Sequence, residues 1–528
     1  MSYDHILNDG IFADDISWER INLILRIQAD LDDRERFDKI QIVSKDGKRS
    51  FELPLTKDDK NLVAKINVMS INKAFPLAEG MYRFVLKDPK GKSLPVKGKI
   101  TVAEGAQKDF IYGKSCYSVN PMIGSDNDLV VEIIDHVNFK VKPKSDLKNF
   151  IKATRKYLYA LLYKVCTYTT KVKENRVLFA TDSRISLGGN LKFVHDRLVQ
   201  KYPGYEIKYL FKEKVSKKRG LSDKFKMPCL LATSKYIIID DYYPMIYGLK
   251  LRKGVELVQL WHAVGAFKTF GYSRVGKPGG PTPFSTHHKN YTKAIVSSRE
   301  VAKYYAEGFG IEESKVHATG VPRTDVFFDE DYLRDKKREI YQAFPIFKNK
   351  KVITFAPTFR GAGAKSAYYD YDKIDFKEFY EMCKDEYVVI FKMHPFVTKG
   401  LKIPEEYKDK FFDLSGERDI NDLLLVTDLL ITDYSSTCFE YSLLGGPMLF
   451  YAYDLDEYIS GRDFYYKYED FVPGKICRTF EELLTSIRDE DYMQKKVEPF
   501  RDKFFEYADG GATERVVDLL FSNEGDIK

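Results

Sequence analysis

The sequence predicts a chain with two doubly wound α/β units and a β-rich N-terminal domain. Three observations predict this: 528 residues are too many for one hydrophobic core, the first 110 residues contain short strand-like runs, and two later sets of β-branched runs alternate with helical patterns. We expect four segments. They are a β-rich accessory domain (1–110), a connector with a basic amphipathic helix (111–175), a first α/β unit (176–335) and a second α/β unit (336–528).

The N-terminal segment has the pattern of a small β-sandwich. INLILRIQAD (21–30) is strand-like, and KIQIVSKDGKRSFELPL (39–55) places two strands around Asp46-Gly47, a hairpin signal. No catalytic set of side chains occurs there. We therefore interpret it as an accessory or acceptor-side module.

The connector ends in a helical pattern over 147–165. Apolar residues recur there at spacings of three, four and seven, which is typical of one helix face. They are Leu147, Phe150, Ile151, Leu158, Leu161, Leu162 and Val165, while Lys148, Lys152, Arg155 and Lys156 fall largely elsewhere around the helix. Two interpretations stay open: a linker helix packed on the α/β domain, or a helix lying in an anionic membrane surface.

Short β-branched runs of the parallel-sheet kind form two sets after residue 176. The first set is RVLFAT (176–181), KYIIIDD (235–241), VELVQL (255–260) and KAIVSS (293–298), and the second is KKVITFAP (350–357), YVVIFKMHP (387–395), DLLITDYSS (428–436) and PMLFYAYD (447–454). Open sheets of this kind bind ligands at the carboxyl ends of their strands. The absence of GxGxxG and GxxxxGK[ST] argues against dinucleotide binding and P-loop chemistry.

Composition narrows the class of protein. No run of about 18 apolar residues is present, so we expect no membrane-spanning helix. The acidic N-terminus lacks an apolar h-region, so no signal peptide is expected. Six scattered cysteines without a CxxC pair suit a reducing cytoplasm and argue against structural zinc. A net charge of +7 fits either an ordinary solvated surface or an anionic partner.

The candidate chemistry lies directly after strands. His262 follows VELVQL and His394 follows VVIFKM, one in each α/β unit, and a histidine with an ordinary pKa can exchange a proton at neutral pH. Further groups suited to phosphate also lie at strand ends: Lys392 beside His394, then Arg323, Thr358, Arg360, Asp433, and Ser435 or Ser436 at the start of a helix. Asp433 lacks a carboxylate cluster, so we predict no metal site.

Six motifs together resemble one family. VQLWHAVGAFK, TGVPRTDVFF, TFAPTFRG, FKMHPF, LLITDYSSTCFEYSLLGGPMLFY and DFVPGK are similar in text and order to the CDP-glycerol glycerophosphotransferase family of teichoic-acid synthesis. The resemblance covers roughly residues 176–525. It implies a GT-B-like fold with two Rossmann-type domains facing a cleft. It also implies transfer of an alditol phosphate from a CDP-alditol to a wall or capsule polymer, with release of CMP.

The resemblance also implies roles for residues. His262 resembles the family's proposed general base, and His394 its second essential histidine, near the donor pyrophosphate. Substrate-binding positions implied by the motifs are Trp261, Ala263, Val264, Lys268, Arg323, Pro357, Thr358, Arg360, Lys392, Asp433, Ser435, Ser436 and Glu440. Glu440 suits a nucleotide ribose. Lys268 and Arg274 are expected either to guide the anionic acceptor chain or to lie on the surface.

The text after the first histidine favours ribitol. Glycerol-phosphate polymerases usually have WHGTPLK-like text, whereas WHAVGAFK, GYSR and GKPGGP resemble the poly(ribitol-phosphate) polymerase branch. The resemblance therefore implies CDP-ribitol as donor, with CDP-glycerol as the alternative, and a lipid-linked polyol-phosphate acceptor. We expect no cofactor, no metal and no nucleic acid. The expected location is the cytoplasmic face of a bacterial membrane, bound peripherally, and a homo-oligomer is left open.

Two rival functions remain from the sequence. A nucleotide-sugar glycosyltransferase would share the fold class and differ in its donor. A catalytically silent polyanion-binding module would not release CMP, and the two histidines placed directly after strands argue against it. Nucleic-acid binding has no RNP, helix-turn-helix or zinc pattern to support it.

Overall fold

A computed structural model of the protein describes residues 11–58, 60–72, 75–136, 147–212, 217, 219–361, 366–417 and 419–522. These residues belong to two compact units. Unit 1 contains the N-terminal part through Tyr157, Phe270–Lys289 and Glu307–Glu312. Unit 2 contains Leu158–Thr269, Asn290–Ala306 and the chain from Glu313 onward.

Unit 1 is built on one sheet, which has eleven strands in the described part of the chain. The strands are β1 (Ile11–Glu19), β2 (Asn22–Gln28), β3 (Lys39–Ser44), β4 (Ser50–Pro54), β5 (Thr56–Lys57), β6 (Asn61–Asn67), β7 (Gly80–Lys87), β8 (Ser93–Lys97), β9 (Lys108–Tyr112), β10 (Ser115–Ile123) and β11 (Leu129–His136). Their order is β5-β6-β2-β1-β8-β7-β11-β10-β9, with β3 between β4 and β7. Short helices α1 (Leu31–Arg36) and α2 (Ile100–Ala103) interrupt it.

The strands join into one sheet because β1 pairs in parallel with β8 and thereby links the two antiparallel halves. The predicted sandwich of two separate sheets is therefore not confirmed. The predicted boundary at residue 110 is also wrong, since β10 and β11 continue the sheet to His136. Leu129, Val131 and Ile133 alternate inward and complete the same core, so this stretch is part of the domain and not a connector.

A distant segment completes unit 1. Tyr272 and Val275 are buried in the same core as the N-terminal strands. Gly276 has φ of +82°, and a Cβ at this position would lie 3.4 Å from the backbone of Phe110. Nothing in the local sequence of residues 270–289 indicates that they belong with strands more than 150 positions earlier.

The helix predicted over 147–165 is present as α3 (Leu147–Thr169). Its buried side carries Tyr163 and Cys166. The predicted apolar stripe faces the other way: Phe150, Leu158, Leu161 and Val165 are exposed. The helix is therefore packed through a different face from the one that the hydrophobic periodicity indicates.

Cys166 of α3 forms a disulfide with Cys229, 63 residues further on. Sequence patterns did not indicate this pair, because the two cysteines are far apart in the chain and share no recognisable spacing motif. The pairing differs from our expectation of cysteines in a reducing cytoplasm.

The first sheet of unit 2 has six parallel strands in the order β13-β12-β14-β15-β16-β17. The strands are β12 (Lys173–Thr181), β13 (Glu206–Phe211), β14 (Ser234–Ile239), β15 (Glu256–Gln259), β16 (Lys293–Ile295) and β17 (Val316–His317). The helices are α4 (Gly189–Lys201), α5 (Leu221–Thr233), α6 (Arg299–Phe309) and α7 (Glu330–Ala343). Val177, Phe179 and Val258 are fully buried, as the β-branched and aromatic runs predict.

The second sheet of unit 2 also has six parallel strands, in the order β20-β19-β18-β21-β22-β23, which is the 3-2-1-4-5-6 order of a Rossmann fold. The strands are β18 (Lys351–Phe355), β19 (Tyr387–Phe391), β20 (Phe411–Asp413), β21 (Leu429–Thr432), β22 (Met448–Tyr451) and β23 (Lys475–Cys477). The helices are α8 (Phe376–Cys383), α9 (Ile420–Leu424), α10 (Thr437–Leu443), α11 (Leu455–Gly461), α12 (Tyr468–Phe471), α13 (Phe480–Arg488), α14 (Val497–Phe504) and α15 (Ala512–Phe521). The prediction of parallel-sheet, Rossmann-like α/β units is confirmed.

The last helix departs from the predicted segment 336–528. Val516, Val517 and Phe521 of α15 are buried in the core of the first sheet, beside Val177 and Leu198. The chain therefore returns to the first α/β unit at its end, because the apolar face of α15 is buried against the first sheet. In the described residues, no helix combines the length and apolarity needed to cross a bilayer.

Candidate active site

A strained turn follows β15. Trp261 adopts φ of +54°, a left-handed conformation that is unusual for a bulky residue and concentrates at functional sites. Two buried side chains hold it: the Trp261 amide donates to Gln259 Oε1 (2.8 Å), and Asn190 Nδ2 donates to the Trp261 carbonyl (2.6 Å). The turn directs the next residue, His262, away from the strand.

His262 lies beside a carboxylate. Its Nδ1 is 3.3 Å from Oδ1 of Asp241, and half of its side chain (50%) is exposed. Burial acts to raise the pKa of Asp241, but the hydrogen bond from His262 and the charge of that histidine outweigh it and hold the pKa below its ordinary value. Sequence reasoning missed Asp241; the only signal was the Asp-Asp pair that ends KYIIIDD.

The segment after His262 runs from the first sheet to the second. Gly265 has φ of +66°, and a Cβ there would lie 2.2 Å from the ring of Phe439 in α10, so only glycine fits. The hydroxyl of Tyr305 donates to the carbonyls of Ala263 (3.1 Å) and Gly265 (3.0 Å). Val264 is buried, so this predicted binding residue contributes to packing.

The same segment ends at Lys268, among groups of the second sheet. The backbone of Lys268 pairs antiparallel with that of Phe464, and the charge of Lys268 acts on His394 and Asp433. It thus lies at the predicted donor site. Arg274, which the sequence grouped with it, belongs to unit 1 and donates to the Pro278 carbonyl (2.6 Å).

Around His394 the local charge is positive. Its Nδ1 accepts a hydrogen bond from the Phe396 amide (3.1 Å), which leaves Nε2 to carry the proton of the neutral ring. Burial lowers the pKa of His394 to about 4, and nearby cations add to the effect. These cations are Lys268, Lys392 and Arg462. At neutral pH His394 is therefore neutral and donates a hydrogen bond. This corrects the expectation that His394 has an ordinary pKa and exchanges a proton at neutral pH.

Lys268 and Lys392 also feel the crowding of positive charge. Burial lowers the pKa of Lys268 to about 8, with Asp433 opposing the shift and Arg462 adding to it. Burial also lowers the pKa of Lys392, whose Nζ donates to the Ser415 carbonyl (3.3 Å). Arg462 was missed by the sequence analysis, since it follows α11 in GRDFYY, which is not at the end of a strand. Such a cluster gains stability from a bound anion.

Arg360 has a different role from the one predicted. Its guanidinium donates to Asp433 (2.9 Å), to both oxygens of Asp454 (2.5 and 2.8 Å) and to the Thr358 carbonyl (2.6 Å). These bonds use four of the five N–H groups of the guanidinium, and two carboxylates balance its charge. Asp433 also accepts from the amides of Thr358 (2.7 Å) and Tyr434 (2.5 Å). The pair therefore positions the residues that follow β18 and β21.

Arg323 forms an ion pair with the buried Glu440 between the two α/β units, and 24% of the Arg323 side chain is exposed. Burial raises the pKa of Glu440 although Arg323 acts against it. In the described part of the chain, Glu440 Oε2 and Arg323 Nε are buried without a hydrogen-bond partner. Asn190 ties this pair to the histidine turn, since its Oδ1 accepts from the Arg323 amide (2.9 Å). Unused buried polar atoms of this kind suit the hydroxyl groups of a ligand.

The remaining predicted residues flank α10 and β18. Ser436 is the N-cap residue of α10, so the predicted helix start is confirmed, and its side chain makes no capping hydrogen bond. The hydroxyl of Ser435 bonds with Thr437 (2.9 Å), and Pro357 is buried. Over the described ranges, no group of three or more His, Cys, Asp or Glu side chains could hold a metal ion.

Comparison with known proteins decides the family. Residues 161–522 match the family described as CDP-glycerol:poly(glycerophosphate) glycerophosphotransferase. The chain belongs to this family. The resemblance predicted from the six motifs is thereby confirmed.

Two members of the family are similar to the chain in sequence. The chain is 48% identical over 392 residues to a teichoic acid poly(ribitol-phosphate) polymerase of Bacillus spizizenii, covering 74% of this chain and 63% of that protein. It is 38% identical to the teichoic acid ribitol-phosphate polymerase TarL of Staphylococcus aureus, over 98% of this chain and all of that protein.

Solved structures of the wall teichoic acid polymerase TagF share the fold. Two of them, one soaked with CDPG, give TM-scores of 0.58 and 0.59 at 24% identity over 71% of this chain. They cover 97% and 95% of the TagF chains.

Proposed function

We propose that the chain is a CDP-alditol phosphotransferase that moves ribitol phosphate from CDP-ribitol to a lipid-linked teichoic-acid polymer and releases CMP. One observation carries the proposal: residues 261–268 join a histidine–carboxylate pair after β15 to a cationic cluster around His394. A hydroxyl acceptor needs the first and a pyrophosphate donor needs the second.

The reaction joins an acceptor hydroxyl to the β-phosphorus of the donor. The acceptor oxygen forms the new P–O bond, the bond from the β-phosphorus to the bridging oxygen breaks, and CMP leaves with that oxygen. The proton of the hydroxyl passes to Nε2 of His262, because Nδ1 faces Asp241.

The second cluster stabilises the charge that collects on the phosphoryl and leaving oxygens. His394 offers an N–H donor, and Lys268 and Lys392 offer positive charge, at a site where the groups are already in place. Bound pyrophosphate would neutralise the crowded cations. That favourable exchange supports donor binding here.

The Arg323–Glu440 pair between the α/β units suits the nucleotide. The free Oε2 of Glu440 can accept from ribose hydroxyls, as the sequence resemblance implied, and the free Nε of Arg323 can donate to the same ligand. Glu440 is buried, whereas the Arg323 side chain is partly exposed, so a ligand can reach the pair from that side. This arrangement favours a hydroxyl-rich ligand.

Ribitol is the proposed alditol. The curated relatives named for ribitol-phosphate polymerisation align at 38–48% identity, whereas a glycerol-phosphate primase and a poly(glycerol phosphate) polymerase align at 31% and 26%. The WHAVGAFK text points the same way. Glycerol-phosphate transfer by the same mechanism is the second candidate.

The test is CMP release from CDP-ribitol and CDP-glycerol offered in parallel, with a lipid-linked glycerol-phosphate primer. We expect the higher kcat/KM with CDP-ribitol. A higher value with CDP-glycerol would exclude the ribitol assignment and leave alditol-phosphate transfer standing. CMP release from neither donor, with transfer from a nucleotide sugar, would overturn the whole proposal.

We also propose that α3 attaches the protein to the cytoplasmic face of an anionic membrane. Phe150 and Tyr168 are 70% and 79% exposed, and Leu161 and Val165 lie on the same side of the helix. A soluble surface seldom leaves such a stripe uncovered. Exposed basic side chains flank it, namely Arg155, Lys156 and Lys164.

The energies fit reversible attachment. Each basic residue near an anionic surface contributes about 1 kcal/mol, and the apolar stripe adds its own burial. We expect the wild type to co-sediment with vesicles of mixed anionic and neutral lipid, and less so at high salt. The triple variant R155E/K156E/K164E should lose this binding.

The matched control is R334E/R338E/K377E, which makes the same charge change on exposed parts of α7 and α8. It should bind vesicles like the wild type. Equal loss in both variants would show a dependence on net charge alone and would contradict a role for α3.

The arrangement of unit 2 supports a GT-B-like architecture. Two Rossmann-type sheets carry the candidate site, and α15 returns to pack on the first sheet. An accessory or acceptor-side role for unit 1 and a homo-oligomeric state stay predictions.

A further inference from the structure

Asp241 lies just after the carboxyl end of β14, at the point where the strand order of the first sheet reverses. β12 lies between β13 and β14, so the chain order reverses direction there, and open α/β sheets bind ligands outside the carboxyl ends of the strands at such a point. β14 ends at Ile239, and Asp240 and Asp241 follow it directly. The carboxylate of Asp241 therefore lies where this class of fold places functional groups.

One buried side chain connects the backbone of Asp241 to the turn that precedes His262. Gln259, fully buried, donates from Nε2 to the Asp241 carbonyl (3.1 Å) and accepts at Oε1 from the Trp261 amide (2.8 Å). The strained turn before His262 is thus tied to the residue that faces it. Because Gln259 is buried and bonds to both segments, the contact between Asp241 and His262 is held by the core of the sheet.

The surrounding charges keep Asp241 ionised. Its Oδ1 accepts from the Tyr242 amide (2.6 Å) as well as facing His262. The neighbouring carboxylate, Asp240, is buried and paired with Arg184 (2.6 Å). The charge of Arg184 also acts on Asp241. Two adjacent carboxylates would otherwise repel, and the arginine leaves Asp241 available to the histidine.

We propose that Asp241 is a positioning residue for His262. It accepts the Nδ1–H of the imidazole, so that Nε2 presents its lone pair to the acceptor hydroxyl. When the proton arrives at Nε2, the carboxylate stabilises the imidazolium. No proton moves to Asp241, whose role is orientation and charge. The inference rests on the proposed function of His262 as the base.

The chain offers a matched control. His195 and Asp196 in α4 form a second histidine–aspartate pair on the same α/β unit, with Nδ1 and Oδ1 2.8 Å apart and half of the Asp196 side chain exposed. Asp196→Asn makes the same chemical change as Asp241→Asn. It should leave turnover unchanged.

The experiment compares D241N, D241E and D196N for CMP release with CDP-ribitol and primer, for CDP-ribitol binding, and across pH. We expect kcat of D241N to fall about 10²-fold, the lower end of a general-base contribution, with donor binding unchanged. The acidic limb of its pH–rate profile should move to lower pH, because the imidazolium loses its neighbouring carboxylate. The groups that face this pair are Asp240, Arg184 and Trp261, and all three are kept. D241E should recover part of the rate.

A spectroscopic measurement tests the same point without a substitution at Asp241. In wild-type protein labelled with ¹⁵N-histidine, the His262 resonances, assigned by their loss in H262A, should show the Nδ1-protonated tautomer near neutral pH. The Nε2-protonated tautomer in the wild type would overturn the proposal even if D241N failed to fold.

The outcomes separate two failures. Near-normal turnover of H262A would remove the base and with it both proposals. An inactive H262A beside a fully active D241N with an unchanged pH profile would overturn only the role of Asp241. Loss of donor binding and of thermal stability in D241N, with the pH profile of the residual activity unmoved, would show a structural role and would also overturn it.

Discussion

The two parallel sheets of unit 2 place a histidine in the same way and give it opposite surroundings. His262 lies shortly after the end of β15, and His394 lies shortly after the end of β19. Both are at the carboxyl ends of strands. His262 is half exposed and faces the carboxylate of Asp241, whereas His394 is surrounded by Lys268, Lys392 and Arg462. A carboxylate favours a histidine that accepts a proton, and cations favour one that stays neutral and donates. Position in the fold selects the residue type, and neighbouring charge selects its chemistry.

The largest expected effect comes from removing His262, the histidine that faces a carboxylate. His262→Ala should lower kcat about 10²–10⁴-fold, the contribution of a general base, while CDP-ribitol still binds. Initial-rate CMP release and calorimetric donor binding check this. Loss of donor binding in parallel with kcat would place His262 in the donor site and erase the contrast with His394.

The second test removes the connection between the sheets. Gly265→Ala brings a Cβ to 2.2 Å from the Phe439 ring at φ of +66°, so we expect a loss of about 2–4 kcal/mol in the free energy of unfolding. Denaturant unfolding measures it. Gly445→Ala is the control, because its φ is +69° but no atom lies within 4 Å of the added Cβ. Equal losses in both variants would show that Phe439 yields to the methyl group.

The third test asks whether His394 only donates a hydrogen bond. His394→Ala should lower donor affinity about 10–100-fold, the value of one hydrogen bond to a charged group. His394→Gln keeps an N–H donor and should recover part of that affinity, whereas His262→Gln should recover no turnover. A Gln variant at 394 as weak as the Ala variant would point to a charged histidine.

The smallest expected effect is a pH dependence of donor affinity, which tests the cationic surroundings of His394. The pKa of Lys268 is about 8, depressed from its ordinary 10.5, so the lysine loses its charge as pH rises through about 8. Donor affinity should fall over that range by about tenfold, because one charge-assisted hydrogen bond weakens. Between about 8 and 10.5 the unfolded chain binds more protons at this group, so its contribution to stability rises with pH. Lys268→Met should flatten the dependence of affinity on pH, and an unchanged slope in this variant would assign it to another group.

The sequence was informative wherever a local pattern has a local cause. The β-branched runs around RVLFAT and VVIFKM became buried parallel strands, since continuous apolar text suits a strand covered on both faces. The start of α10 after Ser436 followed from the strand-to-helix text. The six motifs identified the family, because their order records the positions that follow the strands.

Errors arose where the partner of a residue is distant in the chain. Arg360 looked like a phosphate ligand because an arginine after a strand has no visible neighbour in sequence, yet Asp454, 94 residues later, pairs with it. The apolar stripe of α3 was expected to be its buried face. The structure instead buries Tyr163 and Cys166, which lie on the other side of the helix.

The sequence by itself determined the strands, the order of the motifs and the two histidines of the candidate site. Tertiary structure alone decided that β10 and β11 belong to the N-terminal sheet, that α15 closes the first core, and that Asp241 meets His262. The physical reason is common to these cases. Periodicity and turn chemistry act over a few residues, whereas sheet closure, apolar cover and charge pairing depend on which distant segments meet in space.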